Sequence, residues 1–445
     1  MSFDLPKLPD GWEYQPLDQL SKPGSVTYGV VQPGAALSTG VPIIRVNNFR
    51  DGRIELADLM RIDPAIEGKY GRTRLKGGEV LLTLVGSVGQ VAVAPKTVSG
   101  FNVARAVAVI HPEDHVESEW IALCLRSPLS QHLLGSRANT TVQTTINLKD
   151  LRALPIPLPP ASERREIASA MLALDDRITL LRETNATLEA IAQALFKSWF
   201  IYFDPVRAKA EGRQPEGMDA TAAALFPDSF EESELGVVPK GWSIGSVGDL
   251  ASQKKGSVNP LASPGVLYEH YSLPAFDSGQ TPVFELGQEI KSNKTPLPEE
   301  AVLLSKLNPH IPRVWLPVSC GANAVCSTEF LAYSPRDGAS KELIYCLFGS
   351  SEFQQQLCQL VTGTSNSHQR VKPDQVLAIK LPIAGKPALK AFTESVRPFF
   401  ERVHANRLQA QTLTQLRDTL FPRLISGQLR LPEAQALLND RDIAQ

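Results

Sequence analysis

The sequence contains few of the residues that build a disulfide or metal framework. Its 445 residues include five cysteines and seven histidines. A sparse and odd-numbered set of cysteines argues against a disulfide framework and fits a reducing compartment. His310 has no cysteine or second histidine at ligand spacing, so we expect no bound metal.

A hydrophobic run long enough to enter a membrane is also missing. No stretch of about 18 apolar residues occurs, so we expect no transmembrane helix and no membrane partner. The first residues lack the basic and then apolar pattern of a secretory signal, which favours a cytoplasmic protein. The charge is nearly balanced, with 45 basic and 47 acidic side chains. This balance excludes a uniformly basic coat but not one basic face.

Sequence motifs for catalysis are absent. There is no GxxxxGK[ST] phosphate-binding loop and no Asn/Asp-Pro-Pro-aromatic motif of the kind that amino-methyltransferases use on a flipped base. Asp63, Glu67 and Lys69 resemble the acidic and lysine cluster of nucleases, but their spacing is too short. We therefore expect that the chain is not an enzyme by itself.

An internal duplication is present instead. The segment GWEYQPLDQLS from Gly11 returns as GWSIGSVGDLAS from Gly241, and LEAIAQALF from Leu188 returns as LTQLRDTLF from Leu413. The offset between the copies drifts little along the chain. The sequence therefore predicts two copies of one unit, each a globular domain followed by a long helix.

The two helices carry a heptad seam. From Ile167 to Trp199 the apolar positions alternate in steps of four and three, with Asn185 as the one polar member. A matching seam begins at Phe392 and contains Asn406. Each helix is predicted to have about 35–40 residues and a length of about 55 Å.

Two long seams in one chain most simply bury each other. If the helices pair antiparallel with their ends aligned, Asn185 faces Asn406, and such polar seam residues often specify register. The alternative is that each amphipathic helix packs separately on its own domain.

The fold class predicted from these patterns is α+β, with two mixed α/β domains and an antiparallel coiled-coil spacer related by a pseudo-twofold axis. The acidic segment between the copies, with few strand-forming residues, is predicted to be an exposed linker with one short helix. The predicted boundaries are 1–158 for the first domain, 160–203 for the first helix, 204–238 for the linker, 239–384 for the second domain, 386–427 for the second helix and 428–445 for a tail.

Residues suited to DNA contact recur in both copies. Arginine and asparagine pair bidentately with guanine and adenine edges, and polar loops reach phosphates and bases together. An ordinary hydrated surface is the alternative for any one of these residues. The candidate DNA contacts are Arg45, Asn47, Asn48, Arg50, Arg72, Arg74, Lys76, Arg105, Arg137, Asn139, Thr141, Gln143, Lys254, Lys255, Lys306, Asn308, Asn366, His368, Gln369, Arg370 and Lys372.

Over its whole length the chain resembles the specificity subunit of type I restriction-modification systems. The resemblance rests on the paired Gly-Trp openings, on LPIPLPPASERREIASAMLALDDRI, on FKSWFIYFDPV and on LRDTLFPRLISGQL. It implies two target-recognition domains, each reading one half of a split DNA site, with the helices as the spacer. Because the two domains differ in sequence between Tyr28 and Lys76, we expect an asymmetric site.

The resemblance also implies partners. Two methyltransferase subunits that bind S-adenosylmethionine dock on the helices, and restriction subunits that use ATP and magnesium join them, so this chain itself binds no cofactor. Aromatic clusters at the helix ends exceed what a two-helix seam needs, although core packing is the alternative. The candidate docking residues are Leu195, Phe196, Trp199, Phe200, Leu420 and Phe421.

Two other functions stay open on the sequence. One is a coiled-coil scaffold protein without DNA specificity, and the duplicated Arg- and Asn-containing loops argue against it. The other is an enzyme with degenerate methyltransferase or nuclease motifs, and the missing cofactor loops argue against that.

Overall fold

The computed structural model describes residues 5–136, 145–336, 338–361 and 369–434. The chain divides into two compact units. Unit 1 consists of Met1–Ile178 and Thr412–Gln445, and unit 2 consists of Thr179–Gln411. The division falls within both long helices, so each unit contains a segment of each.

The long helices span Ala161–Phe200 and Lys386–Ile425, with 40 residues each. Pro387 at the second position of the second helix suits a helix start, because its missing N–H has no partner there anyway. Pro398 does not delay the start of this helix, which begins twelve residues before it. Gly427, with φ of 72°, follows the end of the helix and supplies the left-handed conformation typical of that position.

Unit 1 is built on a four-stranded antiparallel sheet beside a smaller three-stranded sheet. In the smaller sheet, one strand pair is parallel. The strands of the larger sheet are, in spatial order, Thr27–Tyr28, Val107–Ile110, Val80–Thr83 and Val91–Val93; those of the smaller are Met60–Ile62, Val41–Ile44 and Asn102–Val103; Phe49–Arg50 pairs with Arg53–Ile54, and Glu13–Pro16 with Pro155–Leu158.

The helices of unit 1 cover its larger sheet. Trp120, fully buried, donates its indole N–H to the carbonyl of Pro157 at 2.9 Å. Ile167, Met171 and Leu424 from the long helices belong to the same core. The short α-helices are Pro64–Glu67, Ser118–Arg126, Pro128–Gly135 and Leu148–Arg152, and the 3-10 helices are Leu17–Leu20, Val46–Asn48, Gly68–Thr73 and Lys96–Val98.

Unit 2 repeats the same topology. Its larger sheet has the same antiparallel order, and its smaller sheet has the same central parallel pair with one strand more. The strands are Ala251–Gln253, Phe330–Pro335, Val302–Ser305 and Val314–Trp315; then Val283–Leu286, Leu267–Tyr271, Ala324–Cys326 and Thr295–Pro296; and Ser243–Ser246 with Lys380–Ile383. The helices are Val247–Leu250, Leu273–Asp277, Lys341–Gly349, Ser351–Gln359 and Pro373–Leu377, with a 3-10 helix at Pro260–Ala262.

This repetition confirms the predicted α+β fold class. It extends through the part of the chain where the two copies differ most in sequence, because Val41–Ile44 and Leu267–Tyr271 hold the same place in their sheets. Strand pairing depends on backbone hydrogen bonds and on alternation of buried side chains, so it tolerates a change of nearly every residue identity.

The segment 204–238 is not the exposed linker that its acidity predicted. It forms helices Asp204–Ala210 and Ala220–Ala223 and a hairpin of Phe230–Ser233 with Gly236–Pro239. Its apolar side chains enter the core of unit 2, where Phe226 is 2% exposed. The prediction counted charges and overlooked these separate apolar residues, whose burial outweighs the segment's overall polarity.

The described part of the predicted tail also packs. Leu429 and Ala434 lie in the core of unit 1, and Arg430 forms an ion pair with Glu163 at 3.2 Å. This portion of the chain is therefore part of the folded unit.

Candidate nucleic-acid interface

The residues that follow the two polar loops pair at equivalent places in the two units. In unit 1 the chain after the loop pairs Thr145 with Val85, and the N–H of Ile146 donates to the carbonyl of Leu84 at 3.0 Å. In unit 2 the corresponding pairing joins Arg370 to Leu307. The end of each loop is thereby anchored beside the turn that follows one central strand of the larger sheet, which is Val80–Thr83 in unit 1 and Val302–Ser305 in unit 2.

This anchoring brings two parts of the predicted set together in unit 2. The N–H of Asn308 donates to the carbonyl of Gln369 at 2.8 Å, and the N–H of Val371 donates to the carbonyl of Lys306 at 3.1 Å. Asn308 has φ of 50°, in the left-handed region, which asparagine tolerates better than most residues. The predicted residues Lys306 and Asn308 of one segment therefore share one site with Gln369 and Arg370 of the other.

Sequence reasoning missed the turn residues next to this site. His310 and Ile311 in unit 2 are exposed, as are Gly86 and Ser87 at the matching turn of unit 1. The similarity of GEVLLTLVGS to EAVLLSKLNP already aligned the two turns. The last residues of that match in unit 1, and those just after it in unit 2, were the signal that could have found them.

Arg370 is held in place by a carboxylate. Its Nε and Nη2 atoms each donate to an oxygen of Glu329 at 3.1 Å, and its side chain is 44% exposed. The same contact raises the pKa of Arg370, so the guanidinium stays charged. A positive group is thus oriented at the edge of the polar loop, next to the exposed Lys372.

The predicted cations between Arg72 and Arg105 of unit 1 differ in their contacts. Arg72, Lys76 and Arg105 are exposed. Arg74 is also exposed, but it binds Glu67 through Nε at 2.8 Å and through a second, shorter contact of Nη2. Arg74 therefore stabilises a carboxylate that is itself 2% exposed.

Hydrogen bonds from Arg74 and Asn102 to Glu67 have an electrostatic consequence. The Arg74 contact is the larger cause of a lowered pKa for Glu67, and the amide of Asn102 contributes to the lowering from 2.9 Å. Burial acts in the opposite direction but does not prevail. The cluster keeps the carboxylate ionised inside the fold.

Asn48 was predicted to contact DNA, and that prediction is wrong. Its side chain is 2% exposed, and its amide donates to the carbonyls of Glu55 at 3.3 Å and Asp58 at 3.1 Å. Its Oδ1 accepts from the N–H of Arg45 at 2.9 Å. Asparagine here satisfies backbone groups of a loop, which a search for base-reading side chains cannot distinguish.

The neighbours of Asn48 remain candidates. Asn47 is exposed, and Arg50 is 72% exposed beside Glu55 at 3.2 Å. Arg45 lies partly buried and donates to the carbonyl of Asp58 at 3.2 Å.

Other candidates fall on unit 2 or outside the described residues. Lys254 and Lys255 are exposed just after the strand Ala251–Gln253. The predicted contacts that lie outside the described residues are Arg137, Asn139, Thr141, Gln143, Asn366 and His368.

The prediction of partner docking at the aromatic helix end is also wrong. Phe196, Trp199 and Phe200 are 3%, 6% and 7% exposed, and all three rings contact Phe392, with centroids 5.9, 5.8 and 5.2 Å away. Leu195 packs against the same core of unit 2. The alternative, core packing, holds because the globular domain covers this helix face.

The corresponding residues near the end of the second helix pack in unit 1. Leu420 is 6% exposed, and Phe421 is partly buried against the same core. Burial therefore contradicts the docking prediction for Leu420, whereas docking by Phe421 stays a prediction.

The helix segments run antiparallel within each unit. In unit 2 the amide of Asn406 donates to Oδ1 of Asn185 at 2.8 Å, which is the pairing that the register predicts. Asn185 in turn donates to the carbonyl of Val403 at 3.3 Å. In unit 1, Arg417 of the second helix donates to Asp175 of the first at 2.9 Å.

Neither a metal cluster nor a membrane-spanning helix is found among the described residues. No group of three or more His, Cys, Asp or Glu side chains suited to a metal ion occurs in this part of the chain. None of its helices is both long and apolar enough to cross a bilayer.

The chain is similar to proteins with this architecture. A crystal structure of the S subunit of a type I restriction-modification system from M. genitalium matches with a TM-score of 0.57 and 14% identity, covering 94% of this chain and 97% of that one. The fold is thus that of an S subunit.

Sequence comparison finds similar proteins of the same kind. The model of the type I restriction modification DNA specificity domain matches residues 32–190. The type I restriction enzyme EcoBI specificity subunit of Escherichia coli is 31% identical over 198 residues, which is 42% of each protein. The MjaIX specificity subunit of Methanocaldococcus jannaschii is 24% identical over 365 residues, 80% of this chain and 78% of that relative. The chain is thus similar to type I specificity subunits, and the match to the family model covers residues 32–190.

Proposed function

We propose that this chain is the DNA-reading subunit of a type I restriction-modification complex. Each unit reads one half of a split site. The site is asymmetric because the two units have the same strand order but different side chains. The observation that carries the proposal is the repeated anchoring of a polar loop beside the turn after the central strand, at Val85 in unit 1 and Leu307 in unit 2.

The contacts divide between the two levels of DNA recognition. Exposed cations such as Arg72, Lys76 and Lys254 suit phosphates, which position a protein without reading sequence. Asn47, Asn308 and Arg370 have the amide and guanidinium groups that pair with base edges. The turn and loop residues therefore carry specificity, and the surrounding lysines and arginines carry affinity.

The chemistry belongs to partners. The chain acts as a non-catalytic subunit in the cytoplasm and docks two methyltransferase subunits, which bind S-adenosylmethionine, and restriction subunits, which use ATP and magnesium. Because the aromatic helix ends are buried, docking has to use other residues of the helices, such as the exposed Leu180, Ile191 and Leu408.

Mapping of methylated bases tests this proposal. The chain is expressed with its cognate methyltransferase in a host that lacks other methylation, and genomic modification is read by long-read sequencing. A split, asymmetric motif that disappears without this chain is the expected result. Methylation that is unchanged without the chain would contradict the proposal.

A further inference from the structure

A chain of contacts in unit 1 links a candidate DNA-contact hairpin to the long helices. The hairpin Phe49–Arg50 with Arg53–Ile54 turns through Asp51 and Gly52, which have φ of 48° and 77°. Arg53 forms an ion pair with Asp176 of the first helix at 2.6 Å. The hairpin that presents Arg50 is thereby tied to a helix distant in sequence.

The turn also rests on a second arginine. A Cβ atom placed on Gly52 would lie 2.7 Å from Nη1 of Arg126. That same Nη1 donates to Asp175 at 3.2 Å, and Asp175 also accepts from Arg417 of the second helix at 2.9 Å. Any displacement of Arg126 by the turn therefore acts on the carboxylate that joins the two helices.

These groups line one cleft. It has a volume of about 400 Å³ and lies between the hairpin turn, the strand Val91–Val93 and the first long helix. The side chains of Arg126 and Asp175 are 27% and 20% exposed, so their interaction is less screened than an ion pair on the open surface. Its geometry can therefore set the position of the turn.

In unit 2 a different set of polar side chains connects both long helices to the domain, and we call each such set a junction. Arg407 of the second helix donates through Nη2 to Glu189 of the first helix at 2.6 Å and to Gln280 at 2.7 Å. Gln280 has φ of 55° and stands after the helix Leu273–Asp277, in the part of the unit that carries the smaller sheet. The side chains of Arg407 and Glu189 are 18% and 25% exposed.

We infer that Asp175 in unit 1 and Arg407 in unit 2 are positioning residues, which fix the base-reading elements of each unit against the helix pair. The inference rests on the proposed function and deepens it. Each junction joins both helix segments to the domain of its own unit. Loosening one junction therefore lowers discrimination in one half of the DNA site and leaves the other half intact.

The test uses the full chain with its methyltransferase in the methylation assay. The variants are Asp175→Asn, which keeps the shape and removes the charge, and Gln280→Ala, which removes one contact of Arg407. Asp114→Asn is the matched control, since Asp114 forms an exposed ion pair with Lys22 at 2.9 Å. Asp175→Glu tests rescue by the same charge.

The expected result is a half-selective loss of specificity. Asp175→Asn should raise methylation at sites with one wrong base in one half by about tenfold, because loosened reading elements no longer impose the full penalty for one mismatched base pair. Gln280→Ala should relax the opposite half. Asp114→Asn should behave as the unchanged chain, and Asp175→Glu should recover part of the discrimination.

Four other outcomes separate the two hypotheses. Equal relaxation of both halves, or no relaxation in either variant, would overturn the inference while the unchanged chain still directs a split motif. A uniform loss of methylation at correct sites with specificity retained would assign the junctions to stability alone, and would also overturn it. No chain-dependent motif from the unchanged protein would instead contradict the proposed function.

Discussion

Units 1 and 2 share a sheet topology but fix it against the long helices through different side chains. At the end of the helix Ser118–Arg126 unit 1 has an arginine directed at the first long helix, whereas the matching helix in unit 2 ends in Gly349. A Cβ on Gly349 would collide with the amide of Gln193, so the long helix approaches closely there. The two units thus keep the same strand order with different polar contacts, because a buried polar group can be satisfied by any suitable hydrogen-bond partner.

The cores differ in what completes them. The core of unit 2 includes Phe226 from segment 204–238, whereas that of unit 1 includes Leu429 and Ala434. An aromatic cluster around Phe392 has no equal in unit 1 among the described residues, where the nearest case is the pair of Trp12 and Trp120, with centroids 6.3 Å apart. We therefore expect substitutions in the two cores to have separable effects.

The largest expected effect comes from Phe392→Ala. Phe392 is fully buried and contacts three aromatic rings, so its truncation should lower the free energy of unfolding by about 3–5 kcal/mol. Urea unfolding combined with hydrogen exchange measures the loss and its location in unit 2. Leu408→Ala, at a position 48% exposed on the same helix, is the control and should change stability by less than about 0.5 kcal/mol. Equal destabilisation by both variants would contradict the assigned core.

The helix register gives the next effect. Asn406→Leu leaves the amide of Asn185 buried with one partner lost, which should lower the free energy of unfolding by about 1–3 kcal/mol. Replacing both asparagines by leucine should recover much of that loss, because no buried polar group is then left unpaired. Urea unfolding of the two variants compares them directly. A double variant less stable than the single one would argue against the pairing.

A smaller effect is tied to pH and confined to unit 1. The pKa of Glu67 is lowered below 4.5, so its contribution to stability is present above that value and is lost as the pH falls through the folded pKa. Glu67→Gln should destabilise the protein by about 1–3 kcal/mol at neutral pH, and the difference from the unchanged chain should shrink in acid. Thermal unfolding between neutral and acid pH measures it. A difference that does not depend on pH would mean that packing, not charge, is responsible.

The smallest change concerns affinity for DNA. We expect the isolated chain to bind duplex DNA weakly and with strong salt dependence, because phosphate contacts dominate. Arg72→Gln removes an exposed cation from unit 1 and should reduce the slope of log affinity against log salt by about 1. Fluorescence anisotropy over a salt series measures the slope. Tight binding by the isolated chain at physiological salt would contradict this expectation.

The sequence was sufficient for features that repeat at fixed spacing. The heptad seam predicted the helices and the facing of Asn185 and Asn406, because a periodic pattern fixes which side chains share a face. The sequence could not reveal that Asn48 is buried or that Phe196 packs against Phe392. Those facts depend on contacts between segments far apart in the chain, which no local pattern encodes.

The division of the long helices has a consequence for how the protein is made. Unit 2 is one continuous stretch, so all of its residues have been synthesised by Gln411. Unit 1 begins first but lacks Leu420, Leu424 and Leu429 of its core until the last part of the chain leaves the ribosome. The domain whose synthesis begins first is therefore completed after unit 2, and until then the apolar surface that these residues cover stays exposed.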